Sequence, residues 1–75
     1  MYYSTGKHSI RKVDNLGEYI TLDDGSRWQI SFMDKTKSMM WMIIDDVSVF
    51  SYIGNKFKIT HIKRNETVEA TYLPG

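Results

Sequence analysis

Two adjacent pairs of aspartates are the side chains that first suggest acid–base chemistry or cation binding. They are Asp23 with Asp24 and Asp45 with Asp46. Both kinds of chemistry need carboxylates that converge on one point. Neighbouring residues of a strand point to opposite faces, so neither pair converges by itself. We therefore interpret these aspartates as turn and loop residues, and we expect Asp46 to satisfy backbone groups near Trp41.

The two histidines, His8 and His61, are separated by most of the chain. Cysteine is absent, so a zinc site would have to be assembled from these histidines and the aspartates. We therefore predict neither a metal site nor a cofactor. His61 follows the apolar alternation of Phe57 and Ile59, which favours a half-buried structural histidine.

Signals of enzymatic chemistry are missing from the sequence. Serines and threonines are plentiful, yet there is no Gly-x-Ser-x-Gly elbow and no recognisable arrangement of serine, histidine and acid. No phosphate-cradling glycine loop or dinucleotide fingerprint occurs either. The sequence thus predicts a protein that is not an enzyme and has no evident small-molecule substrate.

A segment near the C-terminus combines basic side chains with an aromatic residue, Tyr52. Small barrels bind single-stranded nucleic acid with surfaces of this kind. Glu66 and Glu69 on the returning strand offset the charge, and cross-strand ion pairs on a solvated face explain the pattern equally well. The candidate residues for nucleic-acid binding are Lys56, Lys58, Lys63 and Arg64.

Methionines concentrate in the segment that follows the first tryptophan. Their number exceeds what a core of this size needs, and flexible thioethers suit adaptable contact surfaces. Together with apolar residues of a later loop, they could form an exposed apolar patch. The candidate residues for partner binding are Met33, Met39, Met40, Met42, Phe50, Tyr52 and Ile53.

The segment "YITLDDGSRWQIS", residues 19–31, predicts a β-hairpin that would position these side chains. Ile20 and Leu22 alternate with polar residues before the turn, and Trp28 and Ile30 alternate with polar residues after it. The sequence Asp-Asp-Gly between them suits a tight turn, because Gly25 can take positive φ without steric cost. We therefore expect Trp28 to be buried.

Further strands and one helical link complete the predicted elements. Alternation predicts a strand around Ile10 to Val13, a strand over "DDVSVF", and a last hairpin over residues 56–73 with Asn65 in its turn. From Phe32 to Met42, apolar residues recur at spacings of three and four, which indicates one or two helical turns with Ser31 or Asp34 as cap.

Length and composition limit the class of protein. The chain has 75 residues, of which 41% are hydrophobic and 25% charged, as expected for one folded domain over residues 1–75. No apolar run is long enough to span a bilayer, and the N-terminus lacks a signal-peptide segment, so we expect a soluble protein of unknown compartment without membrane contact. A net charge of +1 is far from the strong excess of a dedicated nucleic-acid binder.

The segment "GEYITLDDGSRWQIS", followed by Asp34, Trp41 and "DDVSVF", resembles a short domain of many uncharacterised bacterial proteins. The pattern consists of an "I.L.DGS.W.I" hairpin, a brief helical link, a tryptophan and a "D.V.V" strand. The resemblance covers about residues 10 to 50. It implies a small β-barrel and carries no activity, and the methionine-rich "MDKTKSMMWM" departs from it.

These observations predict an all-β protein, a small five- or six-stranded barrel of SH3-like or OB-like type with one short helical connection. We expect a non-catalytic interaction module that binds a protein partner or self-associates. The alternative is a small barrel that binds single-stranded nucleic acid.

Overall fold

A computed structural model describes residues 6–53 and 56–73, with the backbone alone at positions 52 and 53. The described residues form six antiparallel strands that close into a barrel in the order β1-β2-β3-β6-β5-β4. The strands are β1 Gly6–Asp14, β2 Tyr19–Leu22, β3 Arg27–Ile30, β4 Asp46–Ile53, β5 Lys56–His61 and β6 Glu66–Leu73. The predicted small all-β barrel is confirmed, and it has six strands.

The strand order consists of two three-stranded meanders, β1–β3 and β4–β6. The first strands of the two meanders pair with each other, as at His8 opposite Val47. The third strands also pair with each other, as at Trp28 opposite Tyr72. The order is therefore unchanged when the two meanders are exchanged. Closure leaves no open sheet edge among the described strands, and an open edge would be costly for a domain this small.

The barrel interior is filled by the apolar residues that the alternation predicted. Trp28 is fully buried, and its ring makes edge-on contacts with Phe57 at 5.0 Å and Tyr72 at 5.3 Å between centroids. Such contacts add to the large apolar area that the rings bury. The other buried apolar residues are Ile10, Ile20, Leu22, Ile30, Trp41, Val47, Val49, Ile59, Val68 and Ala70.

Two turns have left-handed backbone conformations at the residues where the sequence predicts turns. Gly25 has φ +87° and Asn65 has φ +55°, which are left-handed values that these two residue types tolerate. Asp24 accepts hydrogen bonds from the backbone N–H and the hydroxyl of Ser26, as expected of a turn aspartate. The first strand is longer than predicted, because its N-terminal half pairs with β4 rather than with β2.

The link between the two meanders contains a 3₁₀ turn, Phe32–Asp34, followed by the single α-helical turn α1, Lys35–Ser38. The predicted helical turns are confirmed, but neither Ser31 nor Asp34 caps them through its side chain. The Asp34 carboxylate instead accepts a hydrogen bond from the Glu69 backbone N–H at 2.9 Å, which fastens the link to β6. Within residues 6–53 and 56–73, no helix has the length and apolar character needed to cross a membrane.

Candidate interaction surface

An apolar groove of about 400 Å³ lies where the link meets the turn between β1 and β2. The apolar walls are the most exposed hydrophobic side chains of this region: Leu16 is 75% exposed, Phe32 84% and Met33 85%. The residues that line the groove are Leu16, Phe32, Met33, Lys35, Thr36 and Met39. The apolar stripe that predicted the helical link therefore faces solvent, and Ser38 is the residue of α1 that is buried.

Gly17 and Ser38 join the two walls of this groove. The Ser38 hydroxyl donates a hydrogen bond of 2.6 Å to the Gly17 carbonyl oxygen. Gly17 has φ +90°, and a Cβ at this position would lie only 2.5 Å from the Met39 backbone nitrogen. Only glycine allows the β1–β2 turn to approach α1 this closely. The distance between the two walls is thus fixed by the Gly17 backbone and by the buried Ser38 side chain.

Leu16 projects from a strained backbone. The residue has φ 55° and ψ 41°, in the left-handed helical region. This region costs a residue with a branched apolar side chain about 1 kcal/mol or more. The strained conformation holds a leucine in water at the edge of the groove, which is an arrangement that folding alone does not favour.

Both signs of charge flank the groove. The Lys35 ammonium lies 3.8 Å from the Glu18 carboxylate and 5.5 Å from the centre of the Phe32 ring. In the same helical turn, the Lys37 ammonium lies 3.6 Å from the Asp34 carboxylate. Partly exposed pairs of this kind contribute little to stability, and they can exchange partners at an interface.

The remaining link residues are exposed as well. Met40 and Met42 are more than half exposed, and so are Ile43 and Ile44. All four methionines of the predicted contact surface therefore reach solvent, with Met33 and Met39 in the groove. Ile44 has φ +67°, a second strained apolar residue that points outward.

Asp45, not Asp46, satisfies the backbone near Trp41. The Asp45 carboxylate accepts hydrogen bonds from the Met42 backbone N–H at 3.0 Å and from the His61 ring at 2.8 Å. Asp46 begins β4 and its side chain is exposed. Our expectation for Asp46 is wrong because strand β4 starts one residue later than the pair suggests, which places Asp45 in the preceding turn.

The later residues of the predicted contact surface lie on β4, apart from the groove. Phe50 is half exposed on the outer barrel face, where it pairs with Lys58. Tyr52 and Ile53 belong to β4, and their side chains lie outside the described part of the chain. A shallow depression beside the groove is lined by Met33 and Asp34 of the link, by Lys58 of β5 and by residues 67–69 of β6.

The basic residues divide between a strand and a turn. Lys56 and Lys58 share the outer face of β5, whereas Lys63 and Arg64 are exposed in the turn between β5 and β6. Lys58 lies directly opposite Glu69 in the register of the two strands. This placement supports the cross-strand charge pairing that the sequence allowed.

His61 is buried, and both of its ring nitrogens are occupied. Its side chain is 2% exposed, and Nε2 hydrogen-bonds to Asp45 while Nδ1 accepts a bond from the Arg64 backbone N–H. The hydrogen bond from His61 lowers the pKa of Asp45, and the bond from the Met42 N–H acts in the same direction. The expected structural role of His61 therefore holds, with fuller burial than predicted.

His8 has a different environment, which the sequence did not indicate. Pairing of β1 with β2 brings it to the turn that contains Asp23 and Asp24, so that one ligand atom from each of the three residues lies within 4.8 Å of the others. His8 Nδ1 lies 2.7 Å from an Asp23 oxygen, and this hydrogen bond is the largest of the effects that lower the pKa of Asp23.

Comparison of the chain with protein-family models, with curated proteins and with solved structures found no match. The residues of the surface must therefore be judged on geometry and chemistry alone. Sequence reasoning missed Leu16 and Phe32 as surface residues. The signal was present, because Asn15-Leu16-Gly17 places a leucine inside a turn and Phe32 begins the 3₁₀ turn one residue after β3 ends.

Proposed function

We propose that this chain is a non-catalytic interaction module, a small barrel of SH3-like kind, that self-associates through the groove between the β1–β2 turn and α1. One observation carries the proposal: Leu16, Phe32 and Met33 are each at least three-quarters exposed around one groove. The resemblance to bacterial barrel domains agrees with such a role and adds no activity to it.

The exposed apolar area is large for a domain of this size. The exposed parts of Leu16, Phe32, Met33 and Met39 together amount to roughly 600 Å², which matches the largest patch expected on a typical monomer. A standard interface buries about 800 Å² on each partner. The groove residues supply most of that area, and the exposed residues Met40, Met42, Ile43 and Ile44 can supply the remainder.

A second copy of the chain fits the charges around the groove. A two-fold contact places the same patch on both subunits, so a self-complementary patch needs both signs of charge. Lys35 and Glu18 provide one of each beside the apolar walls. The net charge of +1 also means that two copies repel each other only weakly.

Sedimentation equilibrium of the wild-type chain from micromolar to millimolar concentration tests this function. We expect a monomer–dimer equilibrium that Met33→Lys weakens about tenfold or more, because the interface would have to desolvate the new charge. The matched control is Ile62→Lys, which places the same charge on a half-exposed apolar residue outside the groove. Both variants should unfold at the wild-type urea concentration.

Two results would contradict self-association through the groove. The first is a wild-type chain that stays monomeric at millimolar concentration. The second is equal weakening by Met33→Lys and Ile62→Lys. If Met33→Lys has no effect, and Lys58→Glu and Arg64→Glu instead abolish a salt-sensitive binding to single-stranded nucleic acid, the alternative function gains and the proposed one fails.

A further inference from the structure

Two apolar residues have a backbone conformation that normally suits glycine or asparagine. Leu16 has φ 55° and Ile44 has φ 67°, and the branched Cβ of Ile44 makes this region still less favourable. Within residues 6–53 and 56–73, every other residue with positive φ is an asparagine or a glycine: Asn15, Asn65, Gly6, Gly17 and Gly25. Folding alone would therefore favour glycine or asparagine at both apolar positions as well.

A turn over residues 42–45 holds Ile44 in this conformation. The Asp45 backbone N–H donates a hydrogen bond of 3.2 Å to the Met42 carbonyl oxygen, and the Asp45 carboxylate accepts one from the Met42 N–H. The Ile44 N–H donates to the Ile10 carbonyl oxygen at 2.7 Å, which attaches the turn to β1. A strained backbone persists where its surroundings fix it in this way. The turn therefore directs Ile44 outward, and its side chain is 81% exposed.

Leu16 and Ile44 lie at the same end of the barrel. All neighbouring strands are antiparallel, so β1, β3 and β5 end where β2, β4 and β6 begin. Leu16 lies between the end of β1 and the start of β2, and Ile44 lies two residues before β4 begins. The exposed apolar side chains of the link are at this end too: Phe32, Met33, Met39, Met40, Met42 and Ile43. The described turn at the opposite end, residues 23–26, is instead polar.

The groove alone offers less apolar area than a standard dimer buries. Its exposed side chains supply roughly 600 Å², whereas a standard interface buries about 800 Å² on each partner. Ile44 and its neighbours in the turn are at the same barrel end and can supply the difference. A second copy that covers the groove and the turn together therefore meets Leu16 in one part of its contact and Ile44 in the other.

We propose that Leu16 and Ile44 are the anchor residues of the dimer, an assignment that rests on self-association through the groove. An anchor residue is an exposed side chain that packs into the partner and loses its contact with water there. Both side chains are held outward by a fixed backbone before the partner arrives. Such preorganisation reduces the conformational entropy that association has to remove. The strain that destabilises the monomer thus favours the dimer.

Leu16→Gly and Ile44→Gly should have opposite effects on folding and on association. Glycine tolerates positive φ, so the urea midpoint of each variant should lie above that of the wild type. Each substitution also removes an anchor, so the dissociation constant of the dimer should rise about tenfold or more. A side chain with a role in the folded monomer alone would not increase stability and weaken association at once.

Urea unfolding at low micromolar concentration and sedimentation equilibrium up to millimolar concentration measure the two effects. Unfolding is measured at low concentration because dimerisation itself stabilises the folded wild type. Leu16→Asn and Ile44→Asn should weaken the dimer as much as the glycine variants do, because asparagine tolerates positive φ without the flexibility of glycine. The matched control is Asn65→Gly, at an exposed residue with φ 55° and no apolar side chain to lose. It should leave the dissociation constant unchanged.

Two results would overturn the anchor roles while self-association through the groove stands. The first is a wild-type dimer that Met33→Lys weakens but Leu16→Gly and Ile44→Gly do not. The second is a urea midpoint of both glycine variants at or below the wild-type value, because the strain would then be absent. If one glycine variant alone weakens the dimer, the other residue is not an anchor. A wild-type chain that stays monomeric at millimolar concentration overturns the anchor roles and the proposed function together.

Discussion

The two histidines show how one barrel treats the same pair of residue types in two ways. His61 in the second meander is sealed, with Asp45 on one ring nitrogen and the Arg64 N–H on the other. His8 in the first meander lies at the barrel wall between two aspartates of a turn. Both lie in register with Val47, so they occupy one row across three strands. The two rings also differ in one described neighbour: Trp41 packs against His61, whereas His8 contacts the exposed turn that contains Asp23.

His61→Ala should have the largest effect on stability. The change leaves a cavity beside Trp41 and removes the partners of Asp45 and the Arg64 N–H, at a cost of about 3 kcal/mol in the free energy of unfolding. His8→Ala should cost about 1 kcal/mol, because the groups around it can turn to water. Urea denaturation of both variants measures the difference. Equal losses would show that the two environments are energetically alike.

Ser26→Ala should have the next largest effect, because it removes a buried hydrogen bond within the first meander. The Ser26 hydroxyl is the acceptor for the buried Trp28 indole N–H. Its loss leaves that donor without its partner in the core, which costs about 2 kcal/mol. Urea denaturation measures the stability, and the ¹H NMR resonance of the Trp28 indole N–H reports the indole environment. If the free energy of unfolding of Ser26→Ala lies within about 0.5 kcal/mol of the wild-type value, the hydrogen bond between Trp28 and Ser26 does not stabilise the turn.

The two turns that follow β2 and β5 differ in how they accommodate a left-handed residue. Gly25→Ala should cost about 1 kcal/mol, because φ +87° is unfavourable for alanine even where space is open. Asn65→Gly should change stability by less than about 0.5 kcal/mol, because asparagine and glycine both tolerate φ +55°. Thermal melts of the two variants make the comparison. An unaltered Gly25→Ala melt would show that the first turn relaxes to another type.

The acid dependence of stability should show the smallest effect. The pKa of Asp45 is lowered in the folded state by the His61 hydrogen bond. Its contribution is therefore fully present above the unfolded-state pKa of about 3.8 and is lost as the pH falls through the lower folded-state pKa. Asp45→Asn should unfold with a weaker dependence on pH below about 4 than the wild type does. Urea unfolding at a series of pH values tests this, and an unchanged pH profile would contradict it.

The strands, the core and the turn glycine could be predicted from the sequence because each depends on local order. Ile20, Leu22 and Trp28 alternate with polar residues, and that alternation alone decides which side chains enter the barrel. The positive φ of Gly25 follows from the turn chemistry of its own few residues. Neither the buried side chains nor the positive φ of Gly25 depends on knowing which distant residues they contact.

The candidate sites depend on strand register and packing, which local patterns do not encode. His8 reaches Asp23 because Ile10 pairs with Leu22 and the Ser9 carbonyl accepts a hydrogen bond from the Asp23 N–H, a register set by the bulge between Ile10 and Lys12. Periodicity cannot locate that bulge. The link from Phe32 was predicted as helical, but its spacing could not show that the apolar stripe faces water, because the same spacing describes a buried face.

The pairing of the two meanders affects how fast the barrel folds. Each meander forms from neighbouring segments of the chain, whereas the pairs that close the barrel join Gly6 to Val49 and Arg27 to Leu73. These residues are distant in the sequence, so the chain must lose conformational entropy before the stabilising contacts between them form. We expect folding in milliseconds to seconds, as is common for barrels dominated by non-local pairing, with the β1·β4 and β3·β6 contacts forming last.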